Sequence, residues 1–174
     1  MGPHLPALPA AAGSAARGGV LLAYERDGIV FKAFVPAEVA LRLTTLGAMT
    51  EVPGARPPAR GIALADGEVV TVLELGKAPP RVPRGRYAPQ EDWPVPGSDR
   101  ALLCQLGGQK VALIGGRVLS TGVFDRTPAE DGVLFRGRPV PTLDVRVLYA
   151  EAETAIWAPR PGTPTAQRER GGSR

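Results

Sequence analysis

The stretch Gly67-Glu68-Val69-Val70-Thr71-Val72-Leu73-Glu74-Leu75 returns 70 positions later, without a gap, as Gly137-Arg138-Pro139-Val140-Pro141-Thr142-Leu143-Asp144-Val145. In both, a glycine turn enters a run of residues that favour extended backbone. Working outward, Leu21-Leu22-Ala23-Tyr24-Glu25-Arg26-Asp27-Gly28 precedes Ile29-Val30-Phe31-Lys32-Ala33-Phe34. Its counterpart, at an offset of 80, is Ala101-Leu102-Leu103-Cys104-Gln105-Leu106-Gly107-Gly108 followed by Gln109-Lys110-Val111-Ala112-Leu113-Ile114. Each half holds an apolar run, a glycine-bearing turn, a second run, an irregular stretch and a glycine turn into a final run. Two copies of one small unit are the simplest account.

The runs are short, rich in Val, Ile, Leu, Phe and Tyr, and bounded by Asp27-Gly28, Asp66-Gly67, Gly107-Gly108 and Gly115-Gly116. Such dipeptides tolerate positive φ and are expected to close hairpins. Alternation is partial, so several strands are expected to be buried on both faces, as in small barrels or packed sheets. Two helical pieces are expected. Pro36 suits a first helical position, with Val39 and Leu43 sharing a face over about two turns. Asp144 suits an N-cap for a turn through Val147 and Leu148 that runs on toward Trp157. The predicted fold class is all-β, two similar small barrels with minor helix.

The 174 residues suffice for one domain or two small ones, and the 22 Gly and 19 Pro leave little room for a helical bundle. The formal charge is +4, but the excess lies at the ends: Arg17 within residues 1–18, and Arg160, Arg168, Arg170 and Arg174 against Glu169 within residues 160–174. What lies between is neutral. Both ends, rich in Pro, Gly, Ala and Thr, are predicted to be disordered tails around a domain at 19–159. Lys77, Arg81, Arg84 and Arg86 fall in a Pro-rich stretch, 76–97, predicted to join two subdomains. Prolines at positions 3, 6 and 9, with no basic segment, predict neither a secretion signal nor a spanning helix. A soluble cytoplasmic protein is expected.

Chemistry-bearing residues are few. His4 is the one histidine and Cys104 the one cysteine, so no Ser-His or Cys-His pair, metal centre or disulfide is expected. Cys104, among Leu102, Leu103 and Leu106, reads as a small core hydrophobe. Asp66 and Glu68, Glu91 and Asp92, Glu130 and Asp131, and Glu151 and Glu153 read as solvated charge. The glycine pairs lack the Lys-Ser/Thr of a phosphate loop. No cofactor and no catalysis are expected. Trp93 and Trp157 read as anchors near the ends of the core.

The run Val52-Pro53-Gly54-Ala55-Arg56-Pro57-Pro58-Ala59-Arg60-Gly61-Ile62, followed by Asp66-Gly67 and the strand to Leu75, resembles the central motif of CheW-type chemotaxis coupling proteins. Residues 101–118 resemble that family's later hairpin, and residues 132–148 its closing strand and turn. The resemblance spans about residues 19–150. It implies two five-stranded SH3-like barrels around a shared core. The function it implies is a non-catalytic adaptor between the cytoplasmic tip of a chemoreceptor and the regulatory domain of a CheA-like histidine kinase. Such an adaptor would be cytoplasmic, recruited to receptor arrays at the inner membrane without inserting into it. Transferred residue by residue, the partner-binding candidates are Val39 and the turn Leu64-Ala65-Asp66-Gly67, with Arg136 as the repeat counterpart of Asp66.

Two positions depart from the family pattern. Asp66 stands where the family carries Arg, reversing the charge offered to a partner. Gly115-Gly116 replaces an Asp. An altered partner surface is expected. The alternatives are a CheW-fold scaffold of another signalling or motility assembly, and a nucleic-acid-binding small barrel, which 5% aromatic content and a neutral centre argue against.

Overall fold

The computed structural model describes residues 16–79, 100–128 and 131–157. Eleven strands and one helix follow along them: β1 (Ala16–Arg26), β2 (Ile29–Pro36), β3 (Ala40–Thr45), β4 (Met49–Glu51), β5 (Ala59–Ala65), β6 (Glu68–Glu74), β7 (Arg100–Leu106), β8 (Gln109–Ile114), β9 (Arg117–Asp125), β10 (Gly132–Phe135), β11 (Arg138–Pro141) and α1 (Val145–Trp157). Among the described residues the fold is mostly β, as the glycine and proline punctuation predicts, with one helix. Among the described residues no helix is long and apolar enough to cross a membrane.

The repeat is visible as two pairs of equivalent hairpins. β1–β2 corresponds to β7–β8, and β5–β6 to β10–β11. The turn residues Asp66 and Gly67 have φ of 54° and 79°, and their counterparts Arg136 and Gly137 have 53° and 73°. Two successive positive φ values make a turn whose twist matches that of the flanking strands. The halves exchange hairpins. β3 of the first half pairs with β7 of the second, and β9 of the second pairs with β1 of the first. The resulting sheets are β3-β7-β8-β6-β5-β4, β2-β1-β9 and β10-β11.

The six-stranded sheet is curled. β3 and β4 lie at its opposite edges, yet only residues 46–48 separate them. Four residue steps span at most about 14 Å, whereas six flat strands spread over roughly 24 Å. The edges are therefore drawn together, and the Gly47 N–H donates to the Leu64 carbonyl at 2.8 Å. No hydrogen-bonded ladder closes the sheet among the described residues.

Three apolar clusters follow from this curvature. Inside the curl lie Leu46, Ala63, Ala65, Val70, Val72, Ala101, Leu103 and Ala112, small residues fitted to a narrow space. Leu21, Phe34, Val133 and Val140 form the equivalent cluster between β1–β2 and β10–β11. Between the two units lies a larger shared cluster holding Leu22, Val35, Leu73, Leu102, Leu113 and Val118. Adjacent residues of β6, β7 and β8 alternate between inner and shared clusters, which is why those strands read as continuous apolar runs. The helix closes the shared cluster with Val145, Leu148, Tyr149, Ala152 and Ile156, a stripe at helical spacing. Asp144 caps it, its Oδ1 accepting from the Arg146 and Val147 N–H groups at 2.9 and 3.2 Å.

Three expectations are corrected. Residues 36–43 form no helix: Pro36 ends β2, residues 37–39 turn, and Ala40–Thr45 is a strand. A two-turn helix is marginal by itself, and pairing with β7 offers these residues a ladder instead. Gly115-Gly116 closes no hairpin, since it carries the chain from β8 in one sheet to β9 in another. β1 begins at Ala16, inside the stretch assigned to the N-terminal tail. Arg17 fixes that start through ion pairs to Asp131 at 2.6 Å and Glu38 at 3.1 Å, with its guanidinium 5.6 Å from the Phe34 ring centre. The expectations for His4, Arg81, Arg84, Arg86, Glu91, Asp92, Trp93, Glu130 and residues 158–174 fall outside the described residues.

Candidate protein-docking face

The Asp66-Gly67 turn links β5 to β6, and its flanking residues divide by the pleat. Ala63 and Ala65 point into the curl and are buried. Ile62, Leu64 and Val69 point outward, with exposures of 42%, 51% and 68%. Leu64 and Val69 are direct cross-strand partners, and Ile62 lies opposite Thr71. The outward face of the hairpin is therefore a bare apolar patch ending in an exposed charged turn. Beside the patch, Tyr149 of α1 is half-buried against the shared cluster. Burial against the sheet, followed by the Glu153 charge, raises the Tyr149 pKa.

Asp66 does not stand alone. Arg42 on β3 forms an ion pair with it across the gap between the curled edges. The sequence reading missed Arg42, because only the curl brings a residue 24 positions away to the turn. Both side chains are substantially exposed, so the pair contributes little stability. Its consequence is electrostatic: the acid at the turn carries its own counter-charge.

The other candidates are placed differently. Val39 lies in the turn before β3, half-buried against the shared cluster, and its carbonyl accepts from the Gln105 N–H at 2.8 Å. It is three residues upstream of Arg42 and helps anchor the strand that carries it. Arg136 sits in the β10–β11 turn, in a different sheet, with its guanidinium 5.1 Å from the Phe135 ring centre. The structure thus joins Leu64, Ala65, Asp66 and Gly67 to Arg42, while Val39 serves the packing and Arg136 marks the equivalent turn of the other unit.

Chemical groups elsewhere are sparse. Cys104 is fully buried and burial pushes its thiol up to about 12, where it is neutral at physiological pH. Among the described residues no group of three or more His, Cys, Asp or Glu side chains is placed to hold a metal ion. A cleft of about 600 Å³ lies between the β1–β2 turn, Pro57-Pro58 and residues 74–77, and contains none of the candidate residues. A second, of about 390 Å³, is framed by the Pro53-Gly54 loop.

The structure is similar to that of the scaffolding protein TtCheW from Thermoanaerobacter tengcongensis, with a TM-score of 0.43 and 12% sequence identity, covering 71% of this chain and 86% of that one. No protein-family model matches the chain. No curated protein matches its sequence.

Proposed function

We propose that the protein is a non-catalytic signalling adaptor of the CheW type, built on two SH3-like barrels, that docks a chemoreceptor tip and the regulatory domain of a histidine kinase. The observation that carries this reading is the outward face of the β5–β6 hairpin. Ile62, Leu64 and Val69 form an apolar patch rimmed by the Arg42–Asp66 pair. Apolar centre and charged rim are the anatomy of a protein interface. The motif resemblance of residues 52–75 supports the assignment to chemotaxis coupling. The face belongs to a receptor or kinase matched to a self-neutralised turn, rather than to one that needs the family's Arg.

The test is a direct titration of the full chain with a receptor helical hairpin and with a kinase regulatory domain from the same organism. The chain is expected to bind at least one of them, and Asp66→Arg is expected to weaken that binding about tenfold by placing two cations together. The exchange Arg42→Asp with Asp66→Arg restores the ion pair with its polarity reversed. Absence of binding to both fragments contradicts the adaptor reading.

A further inference from the structure

β2 has an edge that its repeat counterpart lacks. In the first unit, β8 is flanked by β6 in a parallel ladder from Val111 to Ile114. The equivalent run of β2, residues 31–34, keeps a single bridge, Phe34 to Thr142. The cause lies in β11, which is four residues long and carries Pro139 and Pro141, neither able to donate to a ladder. Residues 29–32 are left as an open edge among the described residues. Three of the four side chains there are apolar: Ile29, Val30 and Phe31 are 60%, 52% and 40% exposed. The counterparts of Ile29 and Val30 in β8 are Gln109 and Lys110. An open apolar edge is a template for another strand.

The register defines which strand fits. The two-residue Asp27-Gly28 turn makes Arg26 and Ile29 its closing pair. Ile29, Phe31 and Ala33 then bond inward to β1, while Val30, Lys32 and Phe34 direct their N–H and C=O groups outward. The Phe34 carbonyl confirms this, accepting from the Leu143 N–H at 2.7 Å. Val30 and Lys32 remain with both outward groups unbonded among the described residues. We propose that this edge pairs, antiparallel, with the same edge of a second copy of the chain, about a two-fold axis through Phe31.

That register is self-complementary. Val30 lies opposite the second copy's Lys32, and the reciprocal pair completes four backbone hydrogen bonds. Phe31 meets its own copy at a close pair position. It already stacks on Tyr24, with ring centres 5.5 Å apart, so four aromatic rings form one row across the dimer. On the opposite face Glu25, the cross-strand neighbour of Val30, lies within reach of the second copy's Lys32. Opposite charges thus meet twice. Shifting the axis to Lys32 would oppose two ammonium groups and would call on Phe34, whose carbonyl is already bonded.

The edge is short, so a weak, reversible dimer is expected. Sedimentation velocity on the full chain, over a roughly hundredfold concentration series reaching about 0.5 mM, is expected to show monomer passing to dimer. Val30→Lys, a charge on the open edge, is expected to weaken the dimer at least tenfold with an unchanged melting temperature. Lys32→Glu is expected to weaken it, and the pair Lys32→Glu with Glu25→Lys to restore it, which tests the register even should Val30→Lys fail to fold. A monomer throughout the series overturns the proposal, whether the edge is then bare or covered by the chain's own residues. Self-association that none of these substitutions changes overturns it equally.

Discussion

Cys104 and Arg17 mark the two extremes of residue-scale legibility. Cys104 is readable from its neighbours alone: three leucines within two positions place it in a core strand, and the structure buries it completely. With its thiol pushed up to about 12, it is expected to resist thiol reagents in the native protein and to react on unfolding. Cys104→Ser, which buries a hydroxyl among hydrocarbon, is expected to cost about 1–3 kcal/mol in denaturant melts. Arg17 is the opposite case. Its partners Glu38 and Asp131 are remote in sequence and meet only where β1 passes between the two turns. Arg17→Ala is expected to lower stability by about 1–2 kcal/mol through lost packing on Phe34 and lost ion pairs. Glu38 is held below its ordinary value of 4.5, chiefly by a backbone N–H bond that outweighs the opposing desolvation, and further by Arg17. The stability it lends is complete at neutral pH and is lost as pH falls through the lowered value. Acid titration of the Arg17→Ala protein is expected to show a shallower loss.

At the scale of elements, hairpins are legible because their turn chemistry is local. Asp27-Gly28 and Asp66-Gly67 name their turn by residue type, and Asp144 announces the helix start three residues before Val147. Asp144→Ala is expected to cost about 1 kcal/mol, read as a lowered midpoint in thermal melts. Strand partners are illegible, since nothing within β3 says that it pairs with β7 some 60 positions on. Val39 and Leu43 share a helical spacing, but that spacing cannot outbid a ladder assembled from the other half. Gly115-Gly116 shows the same limit. Two glycines suggest a hairpin, whereas the true demand is a close crossing. Gly115 has a φ of 77°, and any Cβ added there would run into the Gly76 carbonyl. Gly115→Ala is expected to destabilise by about 3 kcal/mol or more, whereas substitution at a mere surface turn would be mild.

For the whole molecule, the duplicated sequence foretells two similar units, but not that they exchange hairpins. The exchange places the shared cluster between halves that are covalently distant, so it is formed by long-range contacts and only by the complete domain. It also explains the proposed docking face. Curling the six-stranded sheet carries Arg42 to Asp66 and leaves Ile62, Leu64 and Val69 bare on the outside, an arrangement that no local pattern encodes. The most direct test of that face is a hydrogen-exchange footprint of the full chain with a receptor helical hairpin or kinase regulatory domain bound. Slowed exchange across residues 61–71, centred on the Asp66 turn, is the predicted result. Slowing confined to other elements, with residues 61–71 unchanged in a saturated complex, would contradict the account.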